Sequence, residues 1–129
     1  MNIVHGHDRR GPSEHRATVT GQAWFESVLP ATDGTTIATV TFAPGARTYW
    51  HSHEHGQILQ VVSGRGLVCS EGGRPEVIQA GDSIWVPAGE RHWHGAAHDS
   101  SMTHTAISLG TTVWAEEVTP ADYAAPVPG

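Results

Sequence analysis

The sequence predicts an all-β domain, a sandwich or barrel of short strands, and three observations carry that prediction. Short segments rich in Val, Ile, Thr and aromatic side chains recur along most of the chain. Gly and Pro, 15 and 8 of the 129 residues, mostly fall between those segments, where turns are needed. No stretch has a helical repeat of apolar residues except one turn at Pro120–Tyr123, with Thr119 as its cap. A chain this long builds one hydrophobic core and not two.

Residues 1–20 mix Gly, Pro, Arg, His and Asp without periodicity and read as a flexible, loosely docked N-terminal arm; residues 21–129 read as the folded domain. Residues 23–29 (AWFESVL) form a first strand, and Asp33-Gly34 is the tip of the turn that follows. Thr35–Phe42 (TTIATVTF) is the clearest strand, being almost entirely β-branched or aromatic. Strands are expected next at 48–53, 57–63, 66–70 and Glu76–Gln79. A turn at Ala80-Gly81-Asp82 leads into Ser83–Val86, and Pro87 to Glu90 turns the chain into 91–94. Met102–Leu109 and 112–118 complete the sheets.

Composition narrows the function. Net charge is −6 with histidine neutral and lysine is absent, so there is no basic patch for nucleic acid or an anionic membrane. The polar N-terminus lacks the apolar core of a signal peptide, and no apolar run approaches the ~20 residues that span a bilayer. The single Cys69 leaves no intrachain disulfide and packs with Leu67. These features describe a soluble cytoplasmic protein whose partner is a small-molecule substrate. Trp50 and Trp93 alternate against neighbouring histidines and so point to the outer sheet face. That placement favours a subunit interface in a homodimer or homotetramer, with cover by the N-terminal arm as the other option.

Ten histidines are the anomaly, and seven of them lie between residues 51 and 104. His51 and His53, two apart on a strand, aim two imidazoles at one point. Gln57 follows just beyond the tight Glu54-His55-Gly56 segment, and the stretch 81–94 (GDSIWVPAGERHWH) is built to bring in a third imidazole. Burying three imidazoles without a cation is costly, so the set reads as one metal site.

Gly45, five residues, His51-x-His53, three residues, Gln57, six residues, Gly64 resembles the first cupin motif, which usually has Glu at the place of Gln57. Gly81, five residues, Pro87-x-Gly89, two residues, His92 resembles the front half of the second motif; Ala96 replaces the Asn that often ends it. A narrower likeness covers residues 23–123. The segments 42–48, His53 with Gly56-Gln57, 92–97 and 102–107, and the tail from Trp114 to Tyr123, resemble the small bacterial manganese cupins with hydroxynitrile lyase activity, which share Gln at this position. Glu54 and His55 depart from that group, which tends to have Pro and an apolar residue there. The resemblance implies the cupin double-stranded β-helix, a jelly-roll barrel. It also implies a metal held by His51, His53, Gln57 and His92. Manganese is its first implication and iron its second, although the all-neutral donor set would also accept Ni, Co, Cu or Zn.

His94 should face the same interior as His92, as a general acid or base or as a hydrogen-bonded neighbour of the site. Alternation puts His104, Ala106 and Ser108 on one strand face. In the lyase-like group a histidine at this place lines the pocket, which makes His104 a second acid–base candidate with Ser108 beside it. Ala38, Val40 and Phe42 alternate on the preceding strand as an apolar wall, Phe42 doubling as core. Gln57 in place of Glu leaves the metal its full positive charge, which favours polarising an oxygen over cycling electrons. The leading expectation is therefore a metal-dependent lyase that cleaves a C–C bond of a small α-hydroxy nitrile or similar carbonyl adduct. A quercetinase-like dioxygenase acting on an enol or aromatic substrate is the alternative, then a non-enzymatic ligand- or metal-binding cupin, with an isomerase or cyclase on the same site as the remaining option.

Overall fold

Strands with one apolar face must bury that face against a second sheet. The computed structural model describes residues 1–125, so 126–129 of the expected domain lie outside the described residues. It meets that requirement with twelve strands, all pairs antiparallel. They are β1 (Ser13–His15), β2 (Val19–Thr20), β3 (Ala23–Thr32), β4 (Thr35–Phe42), β5 (Arg47–Thr48) and β6 (His51–His53). Then come β7 (Gly56–Ser70), β8 (Glu76–Gln79), β9 (Ser83–Val86), β10 (His92–Ala96), β11 (Met102–Leu109) and β12 (Thr112–Trp114). A 3-10 turn spans Gly6–Asp8, and one short α-helix, α1 (Pro120–Tyr123), lies near the end of the described chain, where Thr119 Oγ1 caps it by accepting from the Asp122 N–H at 3.1 Å.

The first sheet runs β1-β3-β4-β11-β7, with β9 on the other side of β7. The second runs β8-β7-β10-β5-β2, with β6 paired to β10 and β12 to β6. β7 belongs to both, and this closes the two sheets into the expected jelly-roll barrel. Its two halves read as separate strands in the sequence because Gly64-Arg65-Gly66 resembles a turn. The chain bends instead at a bulge: Thr103 pairs Ser63 and His104 pairs Val61, leaving Val62 unpaired. Gly64 completes the bend at φ +77°, where an added Cβ would sit 1.9 Å from the Ser101 carbonyl oxygen.

β4, β8, β9, β11 and α1 have the expected bounds. The expected strand 48–53 breaks at Tyr49-Trp50, whose N–H groups bond to the Thr18 and Glu116 carbonyls outside the ladder. The expected strand 112–118 stops at Trp114 for the complementary reason: Ala115 N–H bonds to the Trp50 carbonyl, and the chain then crosses the sheet face. Within the segment read as an arm, β1 pairs with β3 and β2 with β5. Strands of three and two residues are too short to show alternation in a sequence.

Two apolar clusters form the core. One fills the barrel with Ala23, Phe42, Ala46, Val61, Ile78, Ala96 and Met102. The other lies outside the second sheet, where Trp50, Leu67, Cys69 and Trp93 meet Val118, Ala115 and Tyr123. This corrects the interface reading of the two indoles. Trp93 is 0% and Trp50 9% exposed, because the chain's own residues 115–123 cover them, so neither indole is left bare on the outer face. An indole buries roughly 150–250 Å², and Tyr123 fixes the cover by donating its hydroxyl to the Ala96 carbonyl at 2.7 Å. Among the described residues no helix is long and apolar enough to cross a membrane.

The bend at Gly64 can be tested against a matched control. Gly81 also has positive φ, at +95°, but an added Cβ there meets nothing within 4 Å. Gly81→Ala should cost about 1–2 kcal/mol from backbone conformation alone. Gly64→Ala should cost more than about 3 kcal/mol because the Ser101 backbone must also move. Urea unfolding of both variants reads the difference.

Candidate metal centre

His51 and His53 share one face of β6, and the antiparallel partner β10 places His92 directly opposite His51. The ligand atoms of His51, His53 and His92 all lie within 4.8 Å of one another, and all three residues are buried. Gln57 follows the turn at Glu54-His55-Gly56. Gly56 is obligatory there, because at φ +103° a Cβ would lie 2.7 Å from the Val86 carbonyl oxygen. Glu54 and His55 stay on the surface of this turn, where Glu54 Oε1 accepts from the Thr111 N–H at 3.1 Å.

The hydrogen bonds fix how these rings present themselves. His51 Nδ1 is 2.8 Å from the Tyr49 carbonyl oxygen, and His92 Nδ1 is 3.0 Å from that of Glu90. A carbonyl only accepts, so both rings carry a proton on Nδ1, and in the neutral form Nε2 is a bare lone pair. Yet His92 Nε2 faces Gln57 Oε1 at 3.1 Å, while Gln57 Nε2 donates to Ser108 Oγ at 3.0 Å. Two acceptors held face to face repel. His53 has its Nδ1 3.1 Å from Thr112 Oγ1 and its buried Nε2 without any partner. One divalent cation would relieve both defects, so these residues fit a metal. Burial, and then the neighbouring His92, holds His51 well below the usual imidazole range. The same two causes push His53 down to about 4, and burial lowers His92. All three are therefore neutral at pH 7, the form that ligates metals.

His94 and His104 form a separate pair. His104 Nε2 lies 3.0 Å from His94 Nδ1, and the Phe42 ring packs on both, with centroids 6.1 Å from His94 and 5.4 Å from His104. The remaining nitrogens, His94 Nε2 and His104 Nδ1, are buried without hydrogen-bond partners. Burial pushes His104 down to about 4, and burial with the adjacent His104 holds His94 well below its ordinary value.

A cavity of about 330 Å³ reaches this machinery, and His51, His53, Gln57, His94 and His104 line it. His92 lies outside that lining. Ala38, Val40, Phe42 and Ser108 form part of its wall. Sequence reasoning missed Phe25, Ser27 and Leu29 of β3, Thr112 and Trp114 of β12, and His15, Thr18 and Val19 near the N-terminus. The β3 residues become visible only through register, which sets Phe25 opposite Val40 and Ser27 opposite Ala38. Trp114 lies over the His51 ring at a centroid distance of 4.5 Å, a contact made by the pairing of β12 with β6.

Comparison with known proteins agrees with this architecture. Residues 38–108 match the Cupin domain family. The chain is 43% identical over 120 residues to an (R)-mandelonitrile lyase from Granulicella tundricola, covering 88% of this chain and 89% of the relative. A cupin-like protein from Thermotoga maritima superposes with a TM-score of 0.82 at 35% identity, over 86% of this chain and 90% of the other. A polyketide cyclase from Streptomyces resistomycificus shares the fold, with a TM-score of 0.67 at 18% identity over 95% and 89% of the two chains.

Two measurements test the centre. Adding a divalent cation, Mn²⁺ for example, to chelator-treated protein should raise Tm, by the equivalent of about 2.7 kcal/mol at a hundredfold excess over Kd; His53→Ala should abolish the shift and the bound metal. The buried pair sets a pH dependence. In the unfolded chain His104 is protonated below its ordinary value of 6.5, but folded it stays neutral down to about 4. It is neutral in both states above pH 6.5, and between 6.5 and 4 acidification favours the unfolded chain. Stability of the metal-free protein should fall through that window by up to about 1.4 kcal/mol per pH unit for this group. His104→Leu should flatten the slope in urea unfolding at stepped pH.

Proposed function

The chain belongs to the cupin family, and from that footing we propose that it is a metal-dependent lyase of the hydroxynitrile lyase type. Its reaction would cleave the C–C bond of a small α-hydroxy nitrile or similar carbonyl adduct. The observation that carries the reading is the His94–His104 pair, which sets a buried, unpartnered imidazole nitrogen on a largely apolar cavity beside three neutral histidines and Gln57. The relative named as an (R)-mandelonitrile lyase supports it.

His51, His53, Gln57 and His92 would hold the ion, manganese by preference. When bound, the ion supplies Lewis acidity toward a substrate oxygen without needing a change of oxidation state. The rest falls to the chain's own residues. The apolar side chains of Ala38, Val40 and Phe42 receive the substrate's alkyl or aryl group and keep water from the reacting atoms. With the shared proton on His94 Nδ1 and directed at His104 Nε2, His94 Nε2 is free to accept the substrate hydroxyl proton. The positive charge that develops is then spread over both rings through their 3.0 Å hydrogen bond. As the C–C bond breaks, its electron pair leaves with cyanide, and the hydroxyl carbon and oxygen become a carbonyl. The proton held by the histidine pair passes to the cyanide, so the products are an aldehyde and hydrogen cyanide.

The test is cyanide release from mandelonitrile by the metal-loaded protein. His94→Phe should retain stoichiometric metal and lose roughly 10²–10⁴-fold in kcat, the contribution of a positioned proton acceptor. Wild-type protein that holds its metal and releases no cyanide above background between pH 5 and 8 would refute the lyase reading.

A further inference from the structure

β1 is the outermost strand of the first sheet and β2 that of the second, so residues 16–18 carry the chain from one sheet edge to the other. This strap lies along the cavity, which His15, Thr18 and Val19 all line. Its crossing is fixed in shape. Thr18 adopts φ +59°, a left-handed conformation that a β-branched residue rarely accepts, and its carbonyl holds the Tyr49 N–H at 2.9 Å. The cavity opens between the sheets, where Phe25 from one and Trp114 from the other are 38% and 44% exposed while lining it.

His15 stands apart from everything else on that wall. It is the one ionisable side chain lining the cavity outside the histidine cluster, and among the described residues no side-chain hydrogen bond engages its ring. Register places it beside Ala23, and Ala23 beside Phe42, on the inner face of the first sheet. Phe42 in turn packs on His94 and His104. Two strand spacings, roughly 10 Å, therefore separate His15 from Phe42, with only the small Ala23 between. The Phe25 ring, 5.7 Å from the imidazole, holds it in place.

We propose that the 13–20 strap is the specificity-determining wall of the cavity and that His15 hydrogen-bonds a polar substituent at the end of the substrate remote from the histidine cluster. The substrate class is then an aromatic carbonyl adduct bearing a ring hydroxyl or similar group. The proposal rests on the reading of this cavity as the substrate site. His15 touches no reacting atom in this scheme; it selects and does not catalyse.

The experiment uses 4-hydroxybenzaldehyde and 4-methylbenzaldehyde as probes, titrated calorimetrically into metal-loaded protein. The chain has no lysine, so the aldehydes meet no side-chain primary amine. Wild type should bind the hydroxy compound at least fivefold more tightly. H15F should erase that preference while leaving the affinity for the methyl compound within twofold, and H15Q, which keeps a hydrogen-bonding group, should retain at least half of it. Equal binding of the two probes by wild type, or an undiminished preference in H15F or in a second apolar variant, H15L, overturns the proposal. Cyanide release from the two corresponding cyanohydrins is measured in parallel. A His15-dependent binding preference without turnover upholds the role of His15 and refutes the lyase reading; turnover without the preference does the reverse.

Discussion

Several imidazoles share the inside of this barrel with apolar side chains, and a buried nitrogen without a partner costs about 1–3 kcal/mol. Much of the architecture around the site answers that constraint. The Tyr49 and Glu90 carbonyls, both outside the ladder, hold the Nδ1 protons of His51 and His92. Tyr49 can do so because the strand breaks at Tyr49-Trp50, and the break is stabilised by bonds to Thr18 and Glu116. Gly56 allows the chain to turn tightly enough for Gln57 to join the same point. What these devices leave uncompensated is a cluster of lone pairs facing one another, a poor arrangement for an empty core and a good one for a cation.

The same logic separates the two groups of histidines. His51, His53 and His92 converge on one point, and two of them have an Nδ1 committed to a backbone carbonyl. His94 and His104 instead face each other and share a proton across 3.0 Å, so their charge state is set jointly and not by the backbone. Burial keeps both rings neutral near pH 7 and leaves them able to accept a proton. A barrel that buries such groups gives up some stability on acidification, which is the cost of holding a base in an apolar place.

The second sheet shows how little of the chain is spare. Residues 115–123 cover Trp50 and Trp93, and the short strands β1 and β2 tie the edges of the two sheets together. Neither segment is long or regular. Each works because it meets a surface that already exists: an indole pair in one case, two unpaired strand edges in the other.

The sequence by itself determined the all-β class, the bounds of β4, β8, β9 and β11, and the cluster of chemical residues. Alternation and spacing are local properties, and His51-x-His53 on a strand points two rings one way whatever else the chain does. Only the tertiary structure decided the rest. That β7 is one bent strand depends on a bulge against β11, and that Trp50 and Trp93 lie in a core depends on a segment more than twenty residues away along the chain. The cavity wall of Phe25, Trp114 and His15 is invisible in sequence because it is made by register between strands. A two- or three-residue strand has no alternation to read, and its place is set by the edge it finds.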